Sequence, residues 1–249
     1  DAMDIHAGSS ICLGHGNFLE KFYRSAPIGI TVEGSNTLTK NLIIFGQGLN
    51  KSHPYIYPVL ESILENDENK FKQSFKEIVN HSVGLYFKSL VPKGNRLEKQ
   101  TINFACLSNF VALKGGAIKR EQYLSADMAD IFSNLYLAYS IKWYNDQNHV
   151  SEELTNYCID RLLNENVEKF NRVINGMGEL KLPLLHLKQK DPIESYSLKR
   201  KILNEILENK KVMNLIKEDI YLENTILSDM EKLNELDVNR EEYKNLYQK

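Results

Sequence analysis

The apolar spacing of residues 124 to 141 constrains this chain more than any other feature. Leu124, Met128, Ile131, Leu135, Ala138 and Ile141 recur at intervals of three and four, the repeat that lines one face of an α-helix. Leu163, Val167, Phe170 and Ile174 follow the same rule, as do Leu198, Ile202 and Ile206. A striped helix must bury its stripe against another element, so these segments predict a helical bundle. Alternation of period two is confined to the brief segment Gly29 to Val32. The fold class is therefore all-α, with short connections and antiparallel neighbours.

Punctuation supports this reading. Asp191-Pro192-Ile193-Glu194 places an N-cap, a proline at the first helical position and an acid three residues on, a capping-box pattern. Asn239-Arg240-Glu241-Glu242 repeats that logic, and Ser151 offers a capping hydroxyl before Glu152 and Glu153. Breaks are expected near Gly14 to Asn17, Ser52 to Pro58, Pro92 to Asn95, Gly176 to Gly178 and Lys188 to Pro192. Gly115-Gly116 lies in a helix-like pattern and reads as a place where two helices pack closely. Leu180 to Leu187 reads as an apolar loop able to dock on another domain. Trp143, with Tyr139 and Tyr144, reads as core or interface edge, not as a platform for stacking bases.

Composition narrows the function classes. The chain has 249 residues and a net charge of -2, with 42% hydrophobic and 26% charged residues. That is globular rather than disordered, and it supplies no general attraction to nucleic acid. Cys12, Cys106 and Cys158 are widely separated with no CxxC pair, which suits a reducing compartment such as the cytoplasm. The six histidines never pair at spacings of three or four, so no metal site is expected. There is no P-loop, no GxGxxG and no GxSxG. No apolar run approaches a membrane span. The chain opens at Asp1, inside what reads as a helix, so an upstream part is expected, and absence of a leader is uninformative.

Seven glycines fall in the first fifty residues, and a compositional boundary lies near His53-Pro54-Tyr55. Glycine density marks sharp turns or close approach to a ligand, so chemistry is expected within residues 1–50. The strongest candidate there is Gly29-Ile30-Thr31-Val32-Glu33-Gly34-Ser35-Asn36. A short apolar segment ends in one carboxylate, then a glycine, then a hydroxyl residue able to cap the helical run Thr37 to Gly46. Apolar surroundings disfavour ionised Glu33 and raise its pKa, which suits a general base acting on a weakly acidic C–H.

Three separated motifs, Asp4-Ile5-His6-Ala7-Gly8-Ser9-Ser10, Phe22-Tyr23-Arg24-Ser25-Ala26-Pro27 and Val32-Glu33-Gly34-Ser35-Asn36, together resemble the end of an acyl-CoA dehydrogenase. The stretches Phe104 to Leu107, Lys114 to Arg120 and Ala126 to Ala138 are similar to the long C-terminal extension of the large bacterial fatty-acid branch. The resemblance implies that residues 1–50 are the end of the four-helix catalytic domain and residues 51–249 an additional helical-bundle domain. It implies dehydrogenation of a medium- or long-chain fatty acyl-CoA to a trans-2-enoyl-CoA in fatty-acid β-oxidation, with Glu33 taking the α-proton and FAD accepting the β-hydrogen. Asp4, Gly8 and Ser35 would lie at the flavin and Gly34 at the acyl-CoA. Ala7 and Ser10 replace glycines of the family pattern, which puts FAD affinity in question. Arg24 matches a family arginine and reads equally as a surface salt bridge.

The implied partners are fatty acyl-CoA, an electron-transfer flavoprotein and further copies of the chain. A place in the cytoplasm follows, with peripheral contact to the inner membrane left open. The isolated 249 residues are expected to be inactive without the rest of the flavin site. Two other readings stay open: a non-catalytic helical interaction or oligomerisation module, and a flavin-free pseudoenzyme.

Overall fold

A computed structural model describes residues 1–12, 17, 19–31, 38–190, 196–218 and 226–248. Among them the α-helices are α1 (Ala2–His6), α2 (Leu19–Thr31), α3 (Gly48–Ser52), α4 (Ile56–Leu64), α5 (Glu68–Leu90), α6 (Arg96–Ala112), α7 (Gln122–Asn148), α8 (Glu152–Asn175), α9 (Lys181–Leu184), α10 (Tyr196–Glu208), α11 (Lys210–Glu218), α12 (Ile226–Glu235) and α13 (Glu241–Gln248). A π-helix covers Leu38–Gln47, and short 3-10 turns cover Ala7–Ser10, Gly115–Lys119, Gly178–Leu180 and Leu185–Leu187. No strand occurs among the described residues. The fold is all-α.

The chain divides into two compact units, Asp1–Glu33 with Lys211–Lys249, and Gly34–Lys210.

Within the Gly34–Lys210 unit, α7 and α8 form the central pair. Asn145 Nδ2 donates to Glu152 Oε1 (3.0 Å) beside their connection, Asn134 Nδ2 to Asn166 Oδ1 (2.9 Å) midway, and Arg172 reaches Asp127 at the far end. Partner numbers that fall as α7 rises fix the pair as antiparallel. The striped residues do what their spacing predicts. Leu124, Met128, Ile131, Leu135 and Ala138 are buried on α7, facing Leu163, Phe170 and Ile174 of α8 in one core cluster. Cys106, Leu107 and Val111 join from α6, and Phe45 joins from the π-helix. Gln100 of α6 donates to the Leu163 carbonyl (2.9 Å) and accepts from Asn166 Nδ2 (3.2 Å), so buried amides tie α6, α7 and α8 together.

Helix starts are built as the capping rules require. Ser151 Oγ accepts from the Leu154 N–H (3.2 Å), as the sequence predicts. Asp67 caps α5 by accepting from the Lys70 N–H (3.0 Å). Asn95 and Glu98 form a reciprocal capping box at α6: Glu98 N–H donates to Asn95 Oδ1 (2.9 Å), and Asn95 N–H to Glu98 Oε2 (3.0 Å). Gly94 before it has φ +98°, and a Cβ there would meet Glu98 Oε2 at 1.8 Å. Glycine is required at that turn. Pro58 lies in the first turn of α4, where its missing N–H breaks no bond. The Asp191–Glu194 cap lies outside the described residues.

Several expectations are corrected. Gly29, Ile30 and Thr31 complete α2 instead of forming an extended segment, because helix propagation from Leu19 outweighs the weak strand preference of Ile and Thr. The run from Leu38 is helical as expected, and its form is that of a π-helix. Gly115 and Gly116 open a 3-10 turn; Gly115 has φ +52°, and a Cβ on either would meet nothing within 4 Å, so close packing is not their reason. Trp143 is 64% exposed, and Tyr139 and Tyr144 are exposed with it, which removes the core alternative and leaves that of an interface edge. Leu180 to Leu187 is a series of helical turns whose Leu184 and Leu187 are fully buried in the unit's own core. Asn239 does not cap α13: its side chain donates to Asp237 Oδ1 (3.2 Å), closing a turn before the helix starts at Glu241.

The Asp1–Glu33 and Lys211–Lys249 unit is lighter. Asn17 ties its first helices together, with Nδ2 donating to the Ser10 carbonyl (2.8 Å) and Oδ1 accepting from the Glu20 N–H (3.0 Å). Lys217 of α11 pairs with Glu231 of α12. Among the described residues, no helix is long and apolar enough to cross a membrane.

Candidate functional site

Of the residues singled out from the sequence, Glu33, Gly34 and Ser35 lie outside the described residues; Asp4, Gly8 and Arg24 lie within them. Asp4 is exposed on α1. The anticipated glycine loop at residues 4 to 10 is instead the end of α1 followed by a 3-10 turn. Ala7 takes φ +47° with ψ -129°, a sparsely populated positive-φ conformation outside the left-handed helical region, which costs a residue with a Cβ about 1–3 kcal/mol. Ser9 Oγ donates to the His6 carbonyl and Ser10 Oγ to the Ala7 carbonyl, each at 2.6 Å. Both hydroxyls are thus turned back on their own turn, and a Cβ at Gly8 would meet nothing within 4 Å. Arg24 pairs with Glu20 one turn earlier on α2.

A concavity of the Gly34–Lys210 unit was not legible in the sequence. A cavity of about 900 Å³ lies among the π-helix, α3, α5, α6 and the turn at Gly115, walled by Leu42, Leu49, Phe75, Val79, Val83 and Ile118. A smaller one of about 260 Å³ lies beside it, and Leu49 and Asn109 line both. The smaller chamber carries His53, His81 and Ser108 among apolar residues that include Phe104 and Phe132.

The polar groups here can be assigned. His53 Nδ1 accepts from the Tyr55 N–H (3.2 Å), so the proton of the neutral ring sits on Nε2. That N–H donates to Asn109 Oδ1 at 2.9 Å, which fixes the orientation of the Asn109 amide. Its Nδ2 is then left buried without a partner, and so is Ser108 Oγ on the neighbouring residue. Ser108 is 7% exposed. His81 packs edge-on to His53 with ring centroids 5.5 Å apart. Burial, then the nearby His53 and Lys88, push its pKa below the ordinary histidine value. The histidines that never pair along the chain do meet in space, because α3's end and α5 converge.

A second cluster has a different character. Ser89 Oγ donates to the Tyr86 carbonyl (2.7 Å), which leaves His186 Nε2–H as the donor to Ser89 Oγ at 2.8 Å. An imidazole that donates to the hydroxyl is not positioned as its base. Burial raises the pKa of the adjacent Cys106 thiol, outweighing its contact with Ser89, so the thiol stays protonated and unreactive. With Tyr86 Oη donating to the Pro183 carbonyl (3.3 Å), this cluster fastens the turns around α9 to α5.

Among the described residues no group of three or more His, Cys, Asp or Glu could hold a metal ion. A family model described as acyl-CoA dehydrogenase, C-terminal, bacterial type, matches residues 93–249. No solved structure matches the chain.

Proposed function

This chain belongs to the bacterial-type acyl-CoA dehydrogenase C-terminal family, and on that premise we propose that it is the C-terminal part of an enzyme that dehydrogenates medium- or long-chain fatty acyl-CoA to trans-2-enoyl-CoA in β-oxidation. The match carries this reading: it covers the chain from residue 93 onward, downstream of the Val32-Glu33-Gly34-Ser35 sequence.

Glu33 is assigned the α-proton. The C–H beside a thioester carbonyl is only weakly acidic, so its base has to be desolvated and held in line with it. Glu33 follows α2 and precedes the π-helix in the chain. Gly34 is assigned to the acyl-CoA side and Ser35 to the flavin side. When bound, FAD supplies the acceptance of the β-hydrogen as hydride; Asp4 and Gly8 would meet it only at an exposed surface, with the remaining contacts coming from outside these residues. An electron-transfer flavoprotein as acceptor, a homo-oligomer and a cytoplasmic site of action complete the proposal. The 249 residues alone are predicted to be inactive.

Steady-state turnover of a series of acyl-CoA substrates by the complete protein tests the assignment. Glu33→Gln should lower kcat by about 10²–10⁴-fold while leaving bound flavin unchanged. Retained turnover would move the base elsewhere.

A further inference from the structure

We propose that the paired cavities of the Gly34–Lys210 unit form a binding site for an aliphatic chain bearing a hydrogen-bond-accepting head group, either a fatty acid or an acyl thioester. The site lies wholly within residues 42–132 and does not rest on the Glu33 assignment.

Three observations converge on that chemistry. The larger cavity, about 900 Å³, is within the range of small-molecule sites, about 300–1,000 Å³. Leu42, Phe75, Val79, Val83 and Ile118 give it largely apolar walls, with Gln47, Asn50, Ser82 and Lys119 as polar lining residues, which suits a flexible hydrocarbon. Asn109, which lines both chambers, has a buried and unpaired Nδ2, and Ser108 of the smaller chamber has a buried and unpaired Oγ.

A buried amide N–H without a partner costs about 1–3 kcal/mol, and native proteins rarely leave two such groups side by side. The amide cannot relieve itself by flipping, because its oxygen already receives the His53 Nε2–H. What is missing here is therefore an acceptor. A carboxylate or a thioester carbonyl supplies one, with its chain lying in the apolar cavity.

The test is photo-crosslinking of the complete protein with dodecanoic acid carrying a terminal diazirine, followed by peptide mapping. Label is expected in peptides holding Val79 and Val83 or Leu113 to Ile118. Unlabelled dodecanoate and dodecanoyl-CoA are added as separate competitors, and the one that competes identifies the head group; dodecane, which has none, should not compete. Ser108→Ala should weaken binding about tenfold, the worth of one charge-assisted hydrogen bond. It should also raise the melting temperature of the empty protein, since it deletes an unpaired buried hydroxyl, whereas a serine with a purely structural role would lower it. Val83→Trp, which fills the cavity from a half-exposed position, should abolish the label in this region. Label confined to other peptides, equal competition by dodecane, or unchanged labelling in both variants would overturn the site.

Discussion

At the scale of single residues, His81 couples the cavity to pH. Its ring lies 5.5 Å from that of His53 and 5.1 Å from that of Tyr55, and its pKa is lowered by burial, His53 and Lys88. The folded protein therefore binds fewer protons than the unfolded chain below the ordinary histidine value of about 6.5. Stability from this group is fully present above that value and is lost as pH falls toward the lowered, folded pKa. Thermal melts taken from pH 7 to pH 5 should show a falling melting temperature, and His81→Gln should flatten the slope. An identical slope in the variant would remove His81 from the account.

The buried amides make a second residue-scale case. Asn166 is fully buried, and its side chain joins Gln100 to Asn134. Asn166→Ala would strand both partners and should cost about 2–4 kcal/mol in denaturant unfolding. Neither feature could be read from the sequence. Spacing along the chain says which face a residue shares, but Asn134 and Asn166, like His53 and His81, come from different elements. Polar residues inside helices read as solvent-facing until a neighbouring helix covers them.

At the scale of elements, more was legible. The stripe of α7 and the run Leu163 to Ile174 mark the central pair, since a period of three to four leaves only one way to bury those side chains. Ser151 caps α8 as its position predicts, and the same code in Asn95-Arg96-Leu97-Glu98, not singled out beforehand, closes the start of α6. Asn95→Ala should cost about 1 kcal/mol in a thermal melt, with the loss of the reciprocal Glu98 contact included. A cost near zero would mean that tertiary packing alone holds the start of α6. The π-helix was not legible, because a widened turn depends on which side chains the facing helix accepts. Phe45 reaches the core and Lys40 pairs with Asp130 of α7 at 2.8 Å; those tertiary contacts hold Leu38–Gln47, and its own sequence carries no signal for them. Ile30 and Thr31 were misleading for the opposite reason: a local β preference is worth little once a helix is already propagating through it.

At the scale of the whole molecule, the family is secure and the chemistry is the claim to test. Ile44, Phe45 and Leu49 pack into the same core cluster as α6, α7 and α8, so the π-helix and α3 share one compact unit with the helices that follow. The separated motifs and the match over residues 93–249 rest on the order of side chains along the chain, which the sequence carries in full. The reacting geometry does not, because it depends on where Glu33 meets a thioester and a flavin.

Anaerobic spectroscopy of the complete protein reaches that geometry directly. Adding a long-chain acyl-CoA should bleach the oxidised flavin band in the wild type and leave it unchanged in Glu33→Gln. Equal bleaching in both, or a purified protein without flavin, would contradict the central claim.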